Sequence, residues 1–527
     1  MTLIRITHPK ILNVNVRYKM TAEALIKRIT KAKEEKHEKK AELQEAYRYC
    51  LPIRDTLRNK TSTIEKGVIY SSVAKIALEK FATRAQTLLT PAWDKWSLLT
   101  AGSEVPDDKK EQMQEILDKV TSILFDHIHH SNFYTASHEA MLDCGISTGA
   151  IIVEENFNPK SATILNFRAI PVSDIIPEKC SNGQIDTVFR EFEVKVEDIT
   201  RLWKDAVVPP SLLEKANGDQ GFKTKVYEGI VYNEDKYNYT MYVISHAEKV
   251  IMYEEDMDTS PFVVFRESVR PGDAFGYGRA LRVLEDIKTL NKMMENALRA
   301  DGINSMPIFT AIDDNGFNPY NVTLQPGTII PVASNDSANP TIRPLPVANG
   351  YMLAENRMEK LTATINEVFM ANPFGQIQES PVRSATEIAA RNADIFQSTS
   401  SAFGRLQTEF TEKVLKRCVD ILGKAGKIPP IKVDGKEITI KFTSPFSRMQ
   451  GNEEVKTTME WLSYLQGLGQ EVLIMSVNLE KIPMNLAKKM GVDKELYKDM
   501  AEMEEIKGQL TNAATMAAQQ QGGVPSQ

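Results

Sequence analysis

The chain has 527 residues, of which 42% are hydrophobic and 25% charged, with a formal net charge of −6 and a pI of about 5.9. This is an ordinary globular balance, long enough for roughly three or four compact units. It excludes a global basic field, so any contact with nucleic acid must come from local Lys/Arg placement or from confinement. Cys50, Cys144, Cys180 and Cys418 are far apart and form no CxxC or zinc spacing. They point to a reduced intracellular fold with unpaired thiols. The N-terminal stretch MTLIRITHPKILNVNVRYKM lacks an unbroken apolar core and a small-residue cleavage site. No run approaches the roughly eighteen apolar residues of a membrane span. A soluble protein made in the cytoplasm is expected.

The first quarter reads as helical. Leu25, Ile26, Ile29 and Ala32 share one face before the mixed-charge run KAKEEKHEKK, which is expected to be a solvated helix face. Val73, Ile76, Ala77, Phe81, Ala85 and Leu88 form a second stripe, ending at LTPAWDKW. Met113, Ile116, Leu117, Val120, Leu124 and Ile128 form a third. From residue 150 to 270 the pattern changes to short β segments (AIIVEE, TILNFRAI, IDTVFREFEV, KVYEGIVY, YTMYVIS, KVIMYEE, FVVFRE) separated by turn signals. The insert from VEDITRLW to EKANGDQG is expected to add one or two short helices. Most of these strands have no helix of useful length between them, which argues for antiparallel packing rather than a doubly wound sheet.

At 275–302 a glycine pair, FGYG, opens a run in which Leu281, Leu284, Ile287, Leu290, Met294 and Leu298 recur at helical spacing, with Gly302 as the expected C-cap. Residues 306–347 are rich in Pro and Asn turns. Tyr351, Ala354, Met358, Leu361, Ile365 and Val368 then make a heptad-like stripe suited to packing beside another helix. Two long helices thus flank a compact insert. ANPFGQIQESPVR reads as a loop, and Ser384 and Glu387 as a capping box opening another helix. That helix continues through Phe403, Leu406, Phe410, Val414, Cys418 and Leu422, with a kink expected at QSTSSAFG. IKVDGKEITIKF reads as a hairpin turning at Asp434-Gly435. The remainder to MAAQQ reads as helix, and QQQGGVPSQ as disordered. There is no internal repeat.

Chemistry is sparse. GYGRALR lacks the third glycine of a dinucleotide fingerprint and the Gly-Lys-Ser/Thr of a P-loop. A strand-to-helix corner is therefore favoured over a phosphate cradle. His127, His129 and His130 do not have zinc spacing and read as histidines at a helix end. No nucleophile elbow or comparable Cys/His signature occurs. Glu254-Glu255 and Asp313-Asp314 are adjacent pairs, whose side chains leave a strand on opposite faces. Trp93 and Trp96 could form an aromatic platform, but packing of a helix end is favoured.

The stretches RYCLPIRD, LLTPAWDKWSLLT, SNFYTASHEAMLDCGISTGAIIVEE, FRAIPVSDI, NGQIDTVFREFEV, FGYGRALRVLEDIKTLNKM and SATEIAAR follow one another in an order and at a size that resemble the head-to-tail connectors, or portal proteins, of short-tailed bacteriophages. The similarity runs over roughly residues 19–496. It implies an α+β portal fold and a ring, usually dodecameric, at one capsid vertex in the virion, assembled in the host cytoplasm. Double-stranded DNA would pass through its channel. The implied partners are the packaging terminase, a tail adaptor, and the major capsid and scaffolding proteins, with no membrane, cofactor, metal or catalytic residue.

By the same resemblance, 1–274 is the wing, with helices to 148 and β structure over 149–274. Residues 275–302 and 349–370 are the stem helices and 303–348 the clip. Residues 371–383 form the tunnel loop, 384–450 a long wing helix and hairpin, 451–515 the crown, and 516–527 a disordered tail. Candidate DNA-channel residues are Lys288, Lys292, Arg299, Phe374, Gln376, Gln378 and Arg383, although salt bridges between helices or subunits explain such cations equally well. Phe317, Tyr320, Ile342 and Arg343 are candidates for partner docking on the clip. Another phage structural component, such as a minor capsid or tail-tube scaffold protein, and a nucleotide-dependent enzyme using the GYG turn remain as alternatives.

Overall fold

The computed structural model describes residues 20–54, 69–305, 309–311, 342–344, 351–371 and 401–490, less positions 157, 159, 179–182, 220, 235, 432, 434 and 479–481. The chain divides into two compact units. One comprises Met1–Ala41 with Val172–Phe262, the other Glu42–Pro171 with Val263–Gln527. The first helix, α1 (Ala22–Cys50), contributes to both.

The first unit is a five-stranded antiparallel meander in which order in the sheet follows order in the chain. Its strands are β4 (Ile175–Glu178), β5 (Thr187–Lys195), β6 (Lys223–Asn233), β7 (Asn238–Ser245) and β8 (Ile251–Met257). Short connections join β6 to β7 and β7 to β8, whereas a helical insert separates β5 from β6. The beginning of α1 lies on one face. Leu25, Ile29 and Ala32 pack on Ile176, Phe189, Tyr227, Val231, Tyr242 and Ile244. Phe189 stands opposite Gly229 and covers it, at 2.3 Å from where a Cβ would be. The opposite face of β5 carries Arg190, which pairs with buried Glu228 and stacks over Phe192. Beside Phe192 lies Trp203, just past the short helix α5 (Val196–Leu202), and α6 (Pro210–Gly218) follows.

The run KAKEEKHEKK is not wholly solvated. Lys33 pairs with Glu191 at 2.7 Å and donates to the Tyr227 hydroxyl. Lys36 donates to the carbonyls of Ser173 (2.5 Å) and Ile175 (2.8 Å). Both continue the apolar face of α1, and their methylene stems cover the sheet while the ammonium groups reach acceptors at its rim.

The second unit has α2 (Val73–Leu89), α3 (Asp107–His129) and α4 (Phe133–Ile146) around a three-stranded sheet ordered β3 (Leu165–Ala169), β2 (Thr148–Glu155), β9 (Phe262–Arg266). The stripe on α2 buries Ala77, Phe81 and Ala85 as expected, while Ile76 stays 46% exposed. Small residues on α4 let helices approach: a Cβ on Gly145 would meet Leu78 and Phe81 within 3 Å. Trp96, Phe125, Phe133, Phe167, Phe265 and Phe410 form a connected aromatic core with edge and stacked contacts of 4.5–6.1 Å. Trp96 therefore packs as expected. Trp93 instead stands 74% exposed at the rim of an open cleft between α2 and α4.

Side chains take the place of strands at both edges of this sheet. Asn132 accepts from Phe167 N and donates to Phe167 O, and Glu409 accepts from Arg266 N. Positions 432 and 434 of the predicted hairpin at 431–442 lie outside the described residues, and its second strand pairs far back in the chain. β12 (Ile438–Phe442) runs antiparallel to β1 (Ser97–Ala101), whose register places Ile440 opposite Leu99. Residues 397–400 of QSTSSAFG, where a break is expected, lie outside the described residues; a π-turn at Gln407–Thr411 follows and enters α10 (Glu412–Lys424). At this π-turn Glu409 meets Arg266 and Phe410 enters the core. The capping box at Ser384 and Glu387 lies outside the described residues.

Burial lowers the Lys36 pKa to about 8 against an ordinary 10.5. The unfolded chain keeps this proton to the higher value, so stability should rise as pH increases from about 8 to 10.5. Lys36→Met should flatten that rise in denaturation midpoints measured across the interval; an unchanged slope would rule Lys36 out as its source.

Candidate functional site

The site begins where the second unit's sheet turns into a long helix. After β9, Val269 bridges Gly276, and Tyr277 N donates to Ser268 O. Arg270 stacks 3.7 Å over the Tyr277 ring. The returning segment lies directly against the end of α4. A Cβ on Gly276 would stand 2.1 Å from Ser147 O, and one on Gly278 would stand 2.4 Å from Ile146 O. Glycine is needed here for space, since neither residue has a positive φ. Gly276 N donates to Thr148 Oγ1, and Ser147 Oγ donates to Gly276 O. Carbonyls face the glycines and the Gly276 amide is occupied, so the corner offers no phosphate cradle.

From this corner come the short α7 (Arg279–Arg282) and then α8 (Leu284–Ser305). α8 is about 33 Å long at 1.5 Å per residue. It runs through Gly302 rather than stopping there. Its inner part buries Leu284, Ile287 and Leu290, and Asn291 Oδ1 accepts from the backbone of Tyr70 and Ser71, just ahead of α2. α9 (Tyr351–Val368) packs against α8, with Ile365 and Phe369 buried. Burial fades along the pair: Met294 and Leu361 are half-buried, and Leu298 is 51% exposed. The insert between the two helices is described only at β10 (Phe309–Ala311) and β11 (Ile342–Pro344), which pair antiparallel with Thr310 opposite Arg343.

Arginines hold the end of α9. Arg279 donates to Val368 O (2.5 Å) and binds buried Glu267 through Nε (2.7 Å) and Nη2 (2.6 Å). Arg84 on α2 donates to Met370 O, and burial lowers its pKa. Met370 itself has φ +52, an uncommon conformation for a non-glycine residue, and the surrounding contacts fix it. The carbonyls left over at a helix C-terminus attract cations, and a guanidinium meets them with several donors. On the other face of the strand, Arg266 forks onto Glu409 at 2.8 and 3.2 Å. Neighbouring Arg266 and Glu267 thus leave β9 on opposite faces, one toward the π-turn and one toward the corner.

On α8, Lys288, Lys292, Glu295 and Arg299 form one stripe. Lys288 bonds Glu45 (3.0 Å) and Glu285 (3.2 Å), which raise its pKa. Lys292 and Arg299 both bind Glu295, at 2.9 and 2.6 Å, and the bond from Lys292 holds that carboxyl below its ordinary value. The side chains of Lys292 and Arg299 nevertheless remain 63% and 70% exposed. The structure therefore gathers these three candidate channel residues on one helix face. Phe374, Gln376, Gln378 and Arg383 lie outside the described residues, as do Phe317 and Tyr320, while Ile342 and Arg343 are placed on β11.

The histidines disperse. His127 meets Thr163, His129 stacks on Tyr134 and bonds its hydroxyl, and His130 turns to Asp126. Burial lowers the pKa of His127 and His129. Cys50, Cys144 and Cys418 are buried free thiols, and burial pushes Cys50 and Cys418 up to about 12.

Sequence reasoning passed over Glu267, Arg266, Arg84 and Asn291. The available signal was a charged pair inside an otherwise apolar strand, FVVFRES, and an arginine directly after the glycine pair.

In comparison with known protein families, residues 22–497 match the bacteriophage head to tail connecting proteins. No curated protein matches the chain.

Gly276→Ala should lower stability by about 3 kcal/mol, because backbone carbonyls cannot yield to the new methyl. Gly302→Ala, in open space on a helix, should raise it by up to about 1 kcal/mol. Thermal unfolding separates the two; equal shifts would remove the steric account of the corner. Arg279→Met should cost about 3–5 kcal/mol by stranding the Glu267 carboxylate in the core. Arg299→Met, at an exposed pair, should leave the transition almost unmoved, so a large loss there would contradict the contrast.

Proposed function

The chain belongs to the bacteriophage head-to-tail connecting proteins, and from that premise we propose that it forms the ring at the capsid vertex through which double-stranded DNA is packaged and ejected. The observation that carries this reading is the helix pair α8–α9. It is fixed at one end by the glycine corner and the Arg84 and Arg279 contacts, and it loses its burial toward the other. Helices that leave a core with half-exposed apolar residues fit a stem whose remaining faces are covered by neighbouring copies, about twelve by family resemblance.

Charge supports the same reading. A net charge of −6 disfavours tight DNA binding, because each ordered Lys/Arg–phosphate contact adds affinity and a steep salt dependence. The exposed cations of α8 sit beside Glu295, which tempers their attraction. Such a surface keeps DNA centred while letting it slide, with confinement replacing affinity. The segment between α8 and α9 acts as the clip that meets the terminase and later the tail adaptor. Residues 371–383 form the loop nearest the DNA. Motor chemistry belongs to the terminase.

Replacing Lys292 and Arg299 together with glutamate should leave assembly intact and reduce genome packaging or retention. Deleting residues 375–379 should do likewise. Particles made with either variant are scored for full-length DNA; normal filling and retention by both would refute the channel assignment.

A further inference from the structure

The C-terminal helices pose a separate packing problem. α11 (Pro445–Leu468) is well anchored at its start. Ser444 caps it, Phe446 stacks on Phe403 at 5.2 Å, and Arg448 bonds Asp94. Beyond residue 454 the helix changes character. Although α12 (Gln470–Ser476) and α13 (Ile482–Met490) pack against it, none of the side chains described from 454 to 476 is buried. Val455, Thr458, Leu462 and Leu465 form a half-buried face. Trp461, Tyr464 and Leu468 form a second apolar face that stays 47%, 77% and 70% exposed in the whole chain. On α12, Val472 and Met475 stand three residues apart, hence on one face, and are 40% and 88% exposed. From Trp461 to Ser476 the only charged residue is Glu471.

We propose that the Trp461–Tyr464–Leu468 face of one copy is covered by Val472 and Met475 of a neighbouring copy of the same chain. This rests on the ring assembly proposed above and names one of its contacts. Area supports a stable contact. At about 150–250 Å² for a large side chain, the three residues expose on the order of 400 Å². One partner in a standard interface contributes about 800 Å², a little over half of it non-polar. The aromatic face alone thus supplies most of that apolar share. Composition points to a permanent contact with the chain itself, since depletion of charge with Trp, Tyr and Met enriched is the mark of an interface core. Such a face left bare would associate indiscriminately, and the partner present wherever the chain is made is another copy of it. The two patches also suit each other, because a methionine thioether packs favourably on aromatic rings. They differ from one another, so their contact is head-to-tail, the kind that closes a ring.

The test uses cysteines in the full chain at these exposed positions, where substitution leaves the core alone. Chains carrying Tyr464→Cys or Met475→Cys are assembled singly, as a mixture, and as the double variant, then oxidised beside the native chain. The proposal expects cross-linked dimers from the mixture, none from either chain alone, and a ladder of higher multiples from the double variant. A link between Tyr464→Cys chains alone would show like faces meeting and overturn the pairing. Intact rings with no link beyond that of the native chain would overturn it too, while leaving the ring reading standing. A native chain that stays monomeric at high concentration would remove both. Met475→Asp gives a second reading free of oxidation. It should raise the concentration needed for half-assembly by about tenfold or more, and an unchanged concentration would count against the contact.

Discussion

The close approach of the Gly276–Gly278 corner to the last carbonyls of α4 is the constraint from which the rest of the second unit follows. Two missing side chains let the backbone turn where the Ser147 and Ile146 carbonyl oxygens stand 2.1 and 2.4 Å from the places Cβ atoms would take. That closeness puts Arg279 beside both Glu267 and the end of α9. The direction of α8, the seat of α9 and the point where the chain leaves α9 toward residue 372 are set by the same few atoms. A buried charge pair adds little net stability over an apolar one, but it tolerates few alternative arrangements. Here it fixes an orientation, which a helix pair extending beyond its core needs more than extra stability.

Much of this was legible in the sequence. Periodicity showed the helices around the stripes at 73–88, 113–128 and 281–298, though not their ends, and alternation with turn residues showed the meander, because burial of one face imposes a period on any element. Lys33 and Lys36 were misread because a charge tally ignores the apolar stems of lysine. The pairing of β12 with β1 was not legible, because its partner lies far earlier in the chain, which single-sequence patterns cannot reveal. The π-turn likewise depends on Glu409 finding Arg266.

The candidate site was less legible than the fold. Lys288, Lys292 and Arg299 were visible as a stripe on one helix, but their carboxylate partners divide into local ones (Glu285, Glu295) and a distant one (Glu45). Only the local partners follow from helical spacing. The contacts that anchor the α8–α9 pair, from Arg84 to Met370 and from Asn291 to Tyr70, join segments remote in sequence. The glycine pair was recognisable as a corner, although the reason for glycine became apparent only with the carbonyls of Ile146 and Ser147 in place.

The central claim is that α8 and α9 are the stem of a ring with an open axis. Electron cryo-microscopy of the purified full-length chain tests it most directly. The account predicts closed rings with a central opening wide enough for a DNA duplex, and with Lys292 and Arg299 on the wall of that opening. A uniform monomer at high concentration, or rings in which α8 faces the outside, would contradict it.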